Sequence, residues 1–220
     1  MRQRQSGQDG RERRWMILGL FLIGVFILSP VAWVSCGSGP PQEPDDLCSI
    51  FREKRHWHRS AQASYEKWGV PEAVQLAIIH QESSFRSNAR PPREQILWIF
   101  PGPRSSSAYG YGQVIDDTWS DYRRSVGRSG ASRKNFDDVA DFIGWYGHRI
   151  HQRTGIEKEN ATELYAAYHE GPDGYLRGNH LSKAWLGRVS VRVGHRASRY
   201  QRQYADCREE LNRPRFFGLF

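Results

Sequence analysis

Residues Val70 to Phe85 read Val-Pro-Glu-Ala-Val-Gln-Leu-Ala-Ile-Ile-His-Gln-Glu-Ser-Ser-Phe, an apolar stretch that opens on a proline and closes on one carboxylate among serines. Pro71 suits the first helical turn, where its missing N–H leaves nothing unsatisfied. Val74, Ile78, Glu82 and Phe85 then follow at spacings of four, four and three. The spacing predicts a helix with Glu82 on its core face. A carboxyl that continues an apolar stripe is desolvated, which raises its pKa and keeps it protonated near neutrality, as a general acid requires. The competing reading is a helix whose last turn presents a solvated glutamate.

The rest of the chain bounds what that helix belongs to. Trp15 to Val34 is almost unbroken apolar sequence, long enough to span a bilayer, and it follows an arginine-rich start. Basic residues before the run place the N-terminus in the cytoplasm and the remainder on the outer side of the inner membrane. Val34-Ser35-Cys36-Gly37 has the small residue before cysteine of a lipoprotein processing site, so the segment is either a cleaved signal with lipid on Cys36 or an uncleaved anchor. This divides the chain into a signal or anchor segment at 1–36, a Gly/Ser/Pro linker at 37–46, a folded domain at 47–212 and a tail at 213–220.

Of 220 residues, the 32 Lys and Arg against 24 Asp and Glu make a basic chain of net charge +8. That suits an anionic partner such as a wall polymer or a lipid surface, and does not choose among them. Zinc-finger spacing, a basic heptad region and a Gly-rich phosphate loop are all missing, which argues against nucleic acid. Helical periodicity runs through 47–68, 70–85, 116–125, 136–153, 161–168 and 181–211, with no sustained strand alternation. The domain is expected to be mainly α.

Three separated stretches then carry a resemblance. Gln81-Glu82-Ser83-Ser84-Phe85 with Ala89, Ala108-Tyr109-Gly110-Tyr111-Gly112-Gln113-Val114 with Thr118-Trp119, and Ala166-Ala167-Tyr168-His169-Glu170-Gly171-Pro172 resemble, in order and spacing, the three motifs of the soluble lytic transglycosylase (SLT) domain. The resemblance covers roughly residues 65 to 180. It implies a lysozyme-like helical fold of goose type. It also implies cleavage of peptidoglycan between N-acetylmuramic acid and N-acetylglucosamine with a 1,6-anhydromuramic end. Together with the N-terminal run, that makes a membrane-attached enzyme at the periplasmic face of a bacterial envelope the expectation. Where the family usually has Gly-Leu-Met-Gln this chain has Gly110-Tyr111-Gly112-Gln113, and where it has Tyr-Asn-Ala-Gly this chain has Tyr168-His169-Glu170-Gly171. Between the first two motifs lies an insertion, Arg90 to Ser107, read as a loop beside the cleft.

Glycoside cleavage normally uses two carboxyl groups. The resemblance implies that Glu82 serves alone, as acid and then as base, with Tyr168 bonding Glu82 or the substrate N-acetyl group. It further implies substrate contacts at Gln113, Ser83 and Ser107, with Ser105 and Ser106 equally placed for the last of these. Tyr111 and Glu170, where the chain departs from the family pattern, are also candidate substrate contacts, Glu170 by binding the substrate's peptide or by tuning Glu82. Asp116 and Asp117 read as helix N-terminal residues. His80 and His169 have no zinc spacing, so neither metal nor cofactor is expected. The rival functions are a hydrolytic muramidase on the same fold, with Asp117 or Glu170 activating water, and an inactive wall-binding scaffold. With Cys36 assigned to lipid, Cys48 and Cys207 remain as an even pair in an oxidising compartment, and a disulfide between them is expected over two separate buried thiols.

Overall fold

The computed structural model describes residues 39–96 and 100–213. The apolar run at 15–34, Cys36, residues 97–99 of the insertion and the tail after residue 213 lie outside the described residues. Eight α-helices are found among the described residues: α1 Leu47–Glu53, α2 Arg55–Trp68, α3 Glu72–Ser83, α4 Asp116–Val126, α5 Phe136–Thr154, α6 Ala161–Glu170, α7 Pro172–Leu176 and α8 Ala184–Asn212. A 3-10 turn at Asn179–Ser182 precedes α8. None of these helices is long and apolar enough to cross a membrane.

The helix predicted at 70–85 is α3, two residues shorter at each end, with Pro71 as its N-cap. It is central rather than one-sided. Ala73, Val74, Leu76, Ala77, Ile78 and Ile79 are all buried, so apolar residues surround the helix and a single stripe understates the pattern. The one amide among them, Gln75, donates to the carbonyls of Ala61 at 3.1 Å and Val70 at 2.8 Å, which satisfies its nitrogen inside the core. Ser84 and Phe85 both have positive φ, of 49° and 61°, and end the helix at Ser83, one residue past Glu82. Burial of the Phe85 ring, 5.6 Å from Trp57 and 5.1 Å from His80, holds that strained turn.

The other helices enclose α3. Helix α8 packs along it, α2 crosses it and packs on α5, and α6 lies against α8. Close approach of α2 and α5 depends on Gly144, where a Cβ would come within 2.2 Å of Ser64 Oγ; that hydroxyl instead donates to Ala140 O at 2.7 Å. The single helix expected over 47–68 is broken at Lys54, which has φ −113° and ψ 64°. The break turns Phe51 toward His58 and Tyr204, while Trp57 stacks on Phe136 with ring centroids 4.1 Å apart. Cys48 and Cys207 form a disulfide that ties α1 to α8. Just ahead of α1, the Pro44 carbonyl accepts from Tyr200, and Asp45 is held by Arg199 and by Gln203.

The insertion read as a loop contains a two-stranded antiparallel hairpin, β1 Arg93–Ile96 and β2 Phe100–Arg104, with a register shift between Arg93 and Gln95. Its prolines sit at 101 and 103, and a two-stranded sheet tolerates them because each strand has a free edge. The hairpin base is closed by Arg104, whose guanidinium bonds the Pro91 carbonyl.

Candidate active site

The C-terminal turn of α3 brings Glu82 to a cleft of about 510 Å³. Pro91, Ser106 and Ala108 line it on the hairpin side, Phe142 and Tyr146 come from α5, and Tyr168 to Gly171 from the end of α6. Gln113, with Val114, Ile115 and Thr118, completes the wall. Desolvation pushes the Glu82 carboxyl up to about 7, partly offset by a hydrogen bond from Tyr165. The helix end adds to the effect, since the carbonyl-rich C-terminus of a helix disfavours a nearby anion.

Of the two contacts expected of Tyr168, with Glu82 or with the substrate N-acetyl group, the one with Glu82 is made by Tyr165. Tyr168 donates instead to Gly112 O at 2.7 Å, with its ring against Tyr146 at 5.5 Å, and so braces the Gly110–Gln113 turn. Tyr165 and Tyr168 are three residues apart and share one face of α6, so the sequence cue for Tyr165 was its position one turn before the motif tyrosine.

Gln113 adopts φ 47° and donates from Nε2 to Ala89 O and Gly110 O, both at 2.9 Å. Its amide nitrogen is committed to the loop, so what Gln113 has left to offer is its carbonyl oxygen, an acceptor. Gly110 has φ +77° and sits so close to Arg133 O that a Cβ would lie 2.0 Å from it, so this turn requires glycine.

Several expected contacts are not brought together with these. Ser83 is buried and donates back to Ile79 O at 3.1 Å, within its own helix. Tyr111 points away from the cleft into the Trp57–Phe136 aromatic cluster. Ser107 Oγ accepts from Asp116 N at 3.1 Å at the start of α4, and the serine that lines the cleft is Ser106. Asp116 pairs with Arg133 at 2.7 Å, while Asp117 is exposed in the first turn of α4; neither lines the cleft.

Glu170 does line the cleft, but its carboxylate accepts from Lys183 Nζ at 2.7 Å and faces His169 Nδ1 at 3.0 Å. Burial alone would raise its pKa, yet Lys183 and His169 hold it below the usual carboxylate range. His80 bonds the Tyr200 hydroxyl at 2.9 Å, and burial pushes its imidazole down to about 4. Among the described residues, no group of three or more His, Cys, Asp or Glu is placed to hold a metal ion.

The sequence matches the family model for the transglycosylase SLT domain over residues 24–207. The chain belongs to this family. No curated protein matches it. The activity of a transglycosylase SLT domain is lytic cleavage of peptidoglycan, which makes glycan strands its substrate and the cell envelope its place of action. The helical architecture agrees with the lysozyme-like SLT fold. In this SLT domain the cleft presents one carboxyl whose pKa desolvation raises to about 7 and one that Lys183 and His169 hold below the usual carboxylate range.

Proposed function

We propose that this SLT domain cleaves the β-1,4 bond between N-acetylmuramic acid and N-acetylglucosamine and releases a 1,6-anhydromuramic end, with Glu82 as the only acid–base group. The observation that carries the reading is the placement of a desolvated Glu82 in a cleft whose other carboxylate, Glu170, is tied to Lys183. Glu82 donates its proton to the glycosidic oxygen as the bond to the anomeric carbon breaks, with the N-acetyl group of the muramic sugar assisting at that carbon. The muramic 6-hydroxyl oxygen then bonds to the anomeric carbon, and its proton passes to the Glu82 carboxylate, which restores the acid. No water is consumed, so the enzyme gains from excluding it.

Tyr165 orients the Glu82 carboxyl through their hydrogen bond, and the Gln113 carbonyl oxygen accepts from a sugar hydroxyl or amide. Tyr168 acts at one remove, by holding the Gly112 carbonyl that shapes the turn. The domain is held at the membrane by the 15–34 run or by lipid on Cys36. Mass spectrometry of digested sacculi tests the chemistry: anhydromuropeptides are expected, and reducing-end products would assign the chain to hydrolytic muramidases instead.

A further inference from the structure

One edge of the molecule combines exposed apolar side chains with uncompensated positive charge. Six large apolar side chains are exposed among the described residues, and four of them fall between 176 and 191: Leu176, Leu181, Trp185 and Val191. Leu181, at the tip of the 3-10 turn, is 79% exposed. From Gly174 to Ala205 the sequence has no acidic residue and seven Lys or Arg. Lys183 is paired with Glu170, and Arg196 and Arg199 with Asp45. Arg177, Arg188, Arg192 and Arg202 have no ion pair among the described residues.

The helical repeat puts the two properties on one face. Leu186, Ser190, Val193, Ala197 and Tyr200 are buried, and Trp185, Arg188, Val191 and Arg192 project from the opposite side of α8. Arginines interleaved with leucine and tryptophan fit a surface that is anionic at the top and apolar just beneath, as phospholipid headgroups over acyl chains are. A glycan strand would use aromatic faces and polar groups and has no use for bare leucine tips.

The chain path points the same way. Residues Pro44 and Asp45 are bonded to Tyr200, Arg199 and Gln203 of α8. Only nine residues separate Pro44 from Val34, where the apolar run ends. Nine residues span at most about 30 Å fully extended, so the sequence allows the α8 face to reach a surface that holds the run.

We propose that the 3-10 turn and the N-terminal half of α8 form a second membrane contact, with Arg177, Arg188 and Arg192 on anionic lipid headgroups and Leu181 and Trp185 in the interface below them. The inference rests on the proposed membrane attachment and adds an orientation to it. Trp185 lies edge-on to His169 with ring centroids 5.1 Å apart, and His169 lines the cleft. The docked domain therefore holds that lip of its cleft at the bilayer, which selects glycan strands close to the membrane.

The test uses the full chain reconstituted in phosphatidylglycerol vesicles carrying acyl-brominated lipid, with tryptophan quenching read in the wild type and in Trp185→Phe. The difference between the two reports Trp185 alone, and co-flotation of the chain with the vesicles reports the N-terminal attachment. The expected result is a quenched Trp185 component that vanishes in a Leu181→Ser/Arg188→Glu/Arg192→Glu variant, while that variant still cleaves soluble glycan strands at the wild-type rate. An unquenched Trp185 overturns the proposal, including the case in which its emission responds to soluble glycan and marks it as a sugar platform. Equal quenching in pure phosphatidylcholine overturns the assignment to anionic lipid. Loss of co-flotation in the triple variant would instead refute the N-terminal attachment, and hydrolytic products would refute the proposed chemistry, so each failure is separately visible.

Discussion

Helix α3 carries a glutamate at each end, and both have a pKa raised by burial and a tyrosine from another helix as hydrogen-bond partner. At the N-terminal end, Glu72 is 4% exposed and meets the Tyr204 hydroxyl, which also bonds His58 Nε2 at 2.8 Å. Its own backbone N–H and Arg208, on the rim of the groove outside, both favour its charged form. At the C-terminal end Glu82 has no such compensation: Tyr165 is its one hydrogen-bonding aid, and the helix end disfavours an anion. A desolvated carboxyl is therefore no sufficient mark of a general acid. The end that opens onto the cleft without a nearby cation is the one suited to holding and returning a proton near neutral pH.

The sharpest way to break this comparison is to remove each carboxyl in turn. Glu82→Gln is expected to lower turnover of sacculi by about 10³-fold or more, because the amide keeps the shape and cannot donate the proton. Glu72→Gln is expected to retain the wild-type rate per folded molecule. Comparable losses in both, measured as released anhydromuropeptides against a folding control, would erase the functional distinction between the two ends.

The disulfide joins α1 to α8 near the Glu72 end, since Cys207 lies one turn beyond Tyr204. Cys48→Ser, which opens a loop of 159 residues, is expected to lower stability by about 4 to 5 kcal/mol on the chain-entropy model. Denaturant midpoints should fall while the pH profile of the folded enzyme stays in place. A changed profile would mean that the two ends are coupled through α3.

Glu82 also leaves a trace in stability. Its folded pKa of about 7 lies above the ordinary 4.5, so its contribution is fully present below about 4.5 and is lost as the pH rises through 7. The loss is at most about 3 kcal/mol from the size of the shift, and less once solvent at the cleft screens it. Denaturant midpoints between pH 5 and 8 should decline in the wild type and decline less in Glu82→Gln. Parallel slopes would mean that the carboxyl is not desolvated.

The smallest effect concerns the tyrosines. The Tyr165 hydrogen bond lowers the Glu82 pKa, so Tyr165→Phe should move the basic limb of kcat/KM upward in pH with a modest loss of rate, whereas Tyr204→Phe should leave the limb where it is. Tyr168→Phe should reduce the rate without shifting the limb, because its hydroxyl bonds Gly112 O. A shift in Tyr168→Phe and none in Tyr165→Phe would restore the tyrosine assignment suggested by the motif.

The sequence alone determined what is local or combinatorial. Apolar periodicity located α3, α4, α5, α6 and α8 to within a few residues and ran α1 and α2 together, and motif order led to Glu82, Gln113 and Tyr168, all of which line the cleft. Parity paired Cys48 with Cys207. Tertiary structure decided which way each motif residue faces. Ser83 and Tyr111 lie beside cleft residues in sequence yet turn inward, because neighbours on a helix or in a tight turn point to different sides. Tyr165 displaced Tyr168 as the partner of Glu82 because both share one face of α6, and only the packing of that face over the end of α3 distinguishes them. Glu170 is paired with Lys183, thirteen residues away, which the α7 segment and 3-10 turn fold back beside it. Spacing constrains a residue's own helix, whereas the partner it meets depends on contacts between segments that no local pattern encodes.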